Sequence, residues 1–329
     1  MLKGMATIEQ PPAFQLTPTP PNGVQPGGHS VATHLEVAWG RVRRAFLRRF
    51  RPGYVQEMAA RRQGQCADCQ HDVIGSRDLK FCRNVCGYHF GPDDDPYRRR
   101  GLFPLARAGL AEVVFYSILL LGLAAVLAVL GVWWHWAWFL GTAVAVGFWA
   151  FIVSFFRDPE RTIPTDTEAL LSPADGTIIG VGEVEEPDFP GGRAFRVSIF
   201  LSPFNVHVNR VPRTGRVMAL RYFRGCFVAA TRGDCDRVNE QFWLDLEEPS
   251  GRLLRVKQVA GAVARRIVCW ARPNEELRAG ERYGMIKLGS RTDVLMPAGE
   301  PMDVLVKAGD KVKGGATILL RFRNGQATV

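Results

Sequence analysis

Residues 113–156 read VVFYSILLLGLAAVLAVLGVWWHWAWFLGTAVAVGFWAFIVSFF, 44 positions without a single Asp, Glu, Lys or Arg. One membrane crossing needs about 20 apolar residues, so a run of this length holds two. Its middle, Gly131 to Trp138, carries four tryptophans and a histidine. Such rings favour a water–lipid interface, and the chain is expected to turn there. Arg98, Arg99, Arg100 and Arg107 precede the run, and Arg157 and Arg161 follow it. Cations on both outer flanks place both ends in the cytosol. The expectation is a transmembrane helical hairpin over 101–157 in the cell membrane, with the downstream domain on its cytoplasmic side.

Outward from the hairpin, the N-terminal side divides in two. Residues 1–32, rich in Pro, Gly, Thr and Gln without hydrophobic periodicity, are expected to be disordered. From His34 to Phe50, Leu35, Trp39, Val42, Phe46 and Phe50 recur every three or four residues, with five arginines mostly off that stripe. This predicts a basic amphipathic helix, suited to an anionic membrane or to packing on the body. Cys66-x2-Cys69 and Cys82-x3-Cys86 have the form of two knuckles of a structural zinc site, with His71 and His89 as alternative ligands. Residues 33–100 are therefore read as that helix plus a zinc segment of four cysteines. Seven cysteines do not make a secreted disulfide framework, and the opening residues lack a signal-peptide core, so a reducing compartment is expected. The net charge of +10 calls for an anionic partner. The hydropathy selects membrane lipid and not nucleic acid.

Beyond Arg157 the texture changes. Thr177–Val181, Ala194–Leu201, Arg216–Tyr222 and Arg265–Trp270 are short Val- and Ile-rich runs punctuated by Gly and Pro. They predict a mainly β (α+β) domain over 158–329. Pro173–Thr177 and Val306–Gly314 look like barrel-sandwich turns, and no dinucleotide or P-loop fingerprint accompanies them.

Within this domain Gly289-Ser290 is a candidate for self-cleavage. Glycine tolerates the backbone conformation that brings the serine oxygen onto the preceding carbonyl, and serine supplies the attacking hydroxyl. On its own such a pair is usually a turn. A base is needed, and His207 is the only histidine after His135.

Several blocks in order resemble the phosphatidylserine decarboxylase proenzymes, in the short Gly-Ser-Arg subfamily. They are Phe155–Arg161 (FFRDPER), Ser172–Gly176 (SPADG), Ser202–Arg210 (SPFNVHVNR), Asn239-Glu240, Ala264–Val268 and Gly280–Val294 around Gly289-Ser290-Arg291. The resemblance spans about residues 102–329 and leaves the first hundred residues unexplained. It implies a proenzyme that cuts itself into a β chain, 1–289, and an α chain, 290–329, which stay together as a heterodimer. It implies a covalent pyruvoyl cofactor made from Ser290, whose ketone forms a Schiff base with the amine of phosphatidylserine before decarboxylation to phosphatidylethanolamine. It also implies His207 in cleavage, decarboxylation or both, with Asp175 orienting its imidazole. The longer subfamily has a second histidine where this chain has Arg210. Two other classes remain: an inactive zinc-knuckle membrane adaptor, and a lipoyl-like carrier using Lys311 or Lys313.

Overall fold

The structure is a computed structural model that describes residues 31–66, 71–83, 86–91, 93–95, 97, 103–262, 266–287 and 289–323. Helices α1 (Val31–Phe50) and α2 (Pro52–Arg61) open it. Residues 31 and 32, expected to be disordered, already belong to α1. The reason is tertiary: Ala32 and Thr33 are buried, and Arg266 Nη1 donates to Thr33 Oγ1 at 2.7 Å. Residues 1–30 lie outside the described residues.

The predicted hairpin is present as α3 (Leu110–Trp133) and α4 (Trp138–Phe155), with the break inside the tryptophan cluster. Trp149 Nε1 donates to Ser117 Oγ across the pair at 2.9 Å, and Gly131 lets the Phe139 ring approach. Both helices are long and apolar enough to cross a membrane, and most of their surface is left exposed by the protein.

The remaining strands are β1 (Ala169–Leu171), β2 (Gly176–Glu185), β3 (Arg193–Leu201), β4 (Val208–Arg210), β5 (Gly215–Phe223), β6 (Gln241–Glu247) and β7 (Leu253–Ala260). There follow β8 (Arg266–Cys269), β9 (Glu276–Leu277), β10 (Arg282–Lys287), β11 (Ser290–Pro297), β12 (Met302–Val304), β13 (Lys311–Val312) and β14 (Ile318–Phe322). One turn of helix, α5 (Cys235–Val238), precedes β6. The domain is mainly β, as expected. One curled eight-stranded sheet has the order β13–β2–β3–β11–β7–β6–β5–β9, and two three-stranded sheets are ordered β4–β10–β8 and β1–β14–β12. The two glycine-rich turns meet each other, because β13 pairs with the start of β2 and Gly314 N–H donates to Asp175 Oδ1 at 2.8 Å.

Strand β11 lies near the middle of the large sheet, paired antiparallel with β3 on one side and β7 on the other. Successive side chains alternate between faces. Val294 and Met296 therefore join the main core with Leu244, Val256 and Tyr283, while Leu295 packs with Phe189 and Ala194 on the other face. Ser290 and Thr292 continue the row of Val294 and Met296. The β4–β10–β8 sheet packs against the base of the hairpin, where Val208, Val268 and Met285 share a core with Ile152, Phe155 and Phe156.

Candidate active site

The site is assembled where these layers meet. Gly289 takes φ +62°, a left-handed conformation open to glycine at little cost, and Ser290 follows as the first residue of β11. Ser290 pairs with Leu201 and with Ala260, so its backbone is held from both sides. Its side chain is fully buried, and its Oγ has no hydrogen-bond partner among the described residues. A buried hydroxyl without a partner forgoes the hydrogen bonds it had in water. Two positions on, Thr292 Oγ1 accepts from Asn209 Nδ2 at 3.3 Å, and Asn209 Oδ1 accepts from Gln258 Nε2 at 2.7 Å.

The loop after β3 delivers His207. Asn205 Oδ1 accepts from both the backbone N–H and the hydroxyl of Ser202, at 2.8 and 2.7 Å, folding the loop back on itself. Asn205 then offers its carbonyl oxygen to His207 Nδ1 at 2.9 Å. A carbonyl only accepts, so Nδ1 carries the proton and Nε2 is the bare nitrogen. Nε2 in turn accepts the N–H of Gly289 at 3.3 Å. Burial pushes the imidazole down to about 4, with the nearby Arg157 guanidinium acting in the same direction against the Asn205 hydrogen bond. His207 is thus neutral at pH 7, with its basic nitrogen one residue from the Ser290 hydroxyl.

Asp175 does not orient this imidazole. Its carboxylate accepts from Arg161 Nη2 at 2.7 Å and from Gly314 N–H at 2.8 Å, and the place beside Nδ1 is held by a backbone carbonyl. Burial raises the Asp175 carboxyl, opposed by Gly314 and Arg161. The residue ties the two glycine turns and the hairpin exit together. Arg210 is likewise committed: it donates to Asp158 and to the Gly280 carbonyl, and burial with neighbouring Arg282 lowers it to about 10. Arg291 points to the opposite face from Ser290 and engages Asp293 and Ser198.

Four contributors were not legible beforehand. The Phe155 ring lies 4.3 Å from the His207 ring, so the last turn of α4 forms one wall around that imidazole. Arg157 Nη2 donates to the Phe204 carbonyl at 2.6 Å, which explains part of the FFRDPER block. Gly261, just after β7, lies against the Gly289 carbonyl so closely that an added Cβ would stand 2.3 Å from its oxygen. Lys287, two residues before Gly289, is buried, paired with Glu112 of α3, and lowered to about 7 by burial and Arg266.

In the cysteine segment, Cys82 and Cys86 are buried in a small core with Met58, Leu79 and Phe90, and half-buried Cys66 packs against it. Cys69 lies outside the described residues. Among the described residues no three His, Cys, Asp or Glu side chains are grouped to hold a metal.

The family model described as phosphatidylserine decarboxylase matches residues 148–320. A protein named phosphatidylserine decarboxylase proenzyme from Rhodopirellula baltica is 39% identical over 249 residues, covering 75% of this chain and 100% of the relative. Proteins of the same name from Symbiobacterium thermophilum and Pelobacter propionicus are 47% and 49% identical over 201 and 175 residues. Those matches cover 61% and 52% of this chain and 91% and 77% of the relatives. With the matched region enclosing His207, Gly289 and Ser290, the chain belongs to the phosphatidylserine decarboxylase family.

Proposed function

We propose that this chain cuts itself between Gly289 and Ser290 and then converts phosphatidylserine to phosphatidylethanolamine with a pyruvoyl group made from Ser290. The observation that carries the reading is the unprotonated Nε2 of His207, which accepts the Gly289 N–H at 3.3 Å one residue from a buried serine hydroxyl that has no hydrogen-bond partner among the described residues. His207 Nε2 takes the Ser290 proton as Oγ adds to the Gly289 carbonyl carbon. The Gly289–Ser290 C–N bond then breaks, leaving an ester and a free amine on residue 290. Loss of the Ser290 α-proton expels the Gly289 carboxylate and leaves dehydroalanine, and water displaces the nitrogen as ammonia to give the ketone.

The residues present fit such a group: left-handed Gly289, the pinned first residue of β11 and the neutral base all serve one bond. A pyruvoyl group there supplies a ketone that binds the substrate amine and an adjacent amide that accepts the electron pair left by CO2. His207 Nε2 is the atom that carries a proton to the product carbon. Phe155 and the surrounding apolar core exclude water from it.

Residues 101–157 are read as the membrane hairpin, with 158–329 on the cytoplasmic side, supported by two exposed apolar helices and arginines on both flanks. For the cysteine segment we propose structural zinc on Cys66, Cys69, Cys82 and Cys86, a reading that rests on their spacing in the sequence, since the three described ones share an apolar core without being grouped around a metal position. One equivalent of zinc by elemental analysis is expected, and a metal-free folded preparation refutes it. Nothing in the comparisons supports the adaptor or carrier readings.

Mass spectrometry of the purified chain tests the main proposal. A piece of 40 residues, 290–329, with a blocked N-terminus is expected, and Ser290→Ala should stay whole and inactive. A wild-type chain that decarboxylates the lipid while keeping an intact serine at 290 overturns it.

A further inference from the structure

Between α1, the start of α3 and the cysteine segment runs a groove of about 730 Å³, within the size range of ligand sites. Neither His207, Gly289 nor Ser290 lines it, so it is separate from the site above. One wall is apolar: Leu35 and Trp39 of α1 face Leu110, Val114 and Ile118 of α3. All five are exposed, at 37–73%, although the groove brings them within one cleft. The other end is charged, with five cations and three carboxylates. Arg43 and Arg44 engage Asp72 and Asp78, and Lys80 engages Glu36. Arg77 and Arg107 remain without a carboxylate partner among the described residues, and Arg107 Nε is buried with no hydrogen-bond partner there. Behind the wall, Arg266 stacks over Phe81 and leaves Nε and Nη2 unpartnered as well.

We infer that this groove is an accessory binding site for one anionic glycerophospholipid. The surplus of two positive charges at Arg77 and Arg107 matches a phosphodiester head. The Trp39–Val114–Ile118 wall matches an acyl chain entering along the first two turns of α3, which is where the bilayer begins if α3 crosses it. The arrangement of an interfacial tryptophan, paired arginines and a lipid-facing helix is that of a surface helix with one lipid held beneath it. This rests on the membrane reading of the hairpin. It gives α1, which buries only Ala32 and Thr33 in the protein, a role for its apolar stripe.

The test uses the full chain in phosphatidylcholine vesicles containing a few per cent phosphatidylglycerol with a diazirine on one acyl chain. Phosphatidylglycerol has neither amine nor carboxyl, so it cannot be consumed as substrate. Photo-adducts should concentrate on 35–39 and 114–118 and be displaced by unlabelled phosphatidylglycerol but not by added phosphatidylcholine or glycerol phosphate. Arg77→Gln with Arg107→Gln should lower them roughly tenfold or more, while self-cleavage reports that the variant folds. Adducts spread evenly over the exposed faces of α3 and α4 overturn the site but keep the hairpin in the membrane. Displacement by glycerol phosphate alone also overturns it, in favour of a free-phosphate site. Adducts on neither helix overturn both the site and the membrane reading. The competition arms need no variant.

Discussion

Replacing Gly261 by alanine tests how finely the scissile carbonyl is placed. The new Cβ would stand 2.3 Å from the Gly289 oxygen and 3.0 Å from its carbon. Carbon–oxygen contacts settle at about 3.3 Å, so the carbonyl must retreat by about 1 Å. It has little freedom to do so, because Ser290 is paired with Leu201 on one side and Ala260 on the other. A misplacement of ~1 Å at a reacting centre costs on the order of 100-fold in rate, about 3 kcal/mol of barrier. Cell-free synthesis followed by electrophoresis gives the rate at which full-length chain becomes the two pieces. Gly261→Ala should accumulate as folded, protease-resistant full-length protein, while Gly233→Ala, whose Cβ meets open space, should mature at the normal rate. Normal maturation of Gly261→Ala would show that the close approach does not position the bond.

Other expectations follow from the same geometry. With His207 held near 4, its basic form is complete above about pH 5, so maturation should be flat from pH 5 to 8; an inflection near 6.5 refutes the buried base. The same lowered value means folding favours the neutral ring. Its share of stability is whole above pH 6.5 and falls away toward pH 4, a loss of roughly 3 kcal/mol that acid unfolding curves of wild type and His207→Gln should reveal. Glu112→Gln removes the carboxylate that helps keep a proton on buried Lys287, already lowered to about 7, and should cost about 1–3 kcal/mol for the poorly satisfied buried amine in thermal unfolding in detergent; adding Lys287→Met should recover most of it. Asp175→Asn keeps His207 oriented, so maturation should stay within about tenfold of wild type, whereas His207→Ala should lose roughly 10²–10⁴-fold. Equal losses for both would restore Asp175 to the base.

The two apolar helices were legible because 44 residues without an acidic or basic side chain are long enough for a pair of them without help from the rest of the chain. The β domain was legible from its Val and Ile runs, and the last histidine, His207, lies against Gly289 in the structure. Asp175 was misplaced in its contacts because a carboxylate's partner is a tertiary fact. Arg161 and Gly314 reach it across 14 and 139 residues, and no spacing in the sequence announces that. Gly261 is one of 34 glycines, and its close approach to Gly289 exists only once β7 and β11 lie side by side. Phe155 reads as one more apolar residue of a long apolar helix, although its ring packs against the His207 imidazole.

The position of β11 decides what becomes of the protein once the bond is cut. The fragment beginning at residue 290 supplies an inner strand of the large sheet, the central strand of the β1–β14–β12 sheet and the edge strand beside β2. Its release would unzip two sheets at once. The two pieces are therefore interwoven rather than docked, and dilution alone will not part them. On the proposed cut, maturation would be a one-way step that changes the chemistry at one residue and leaves the architecture in place.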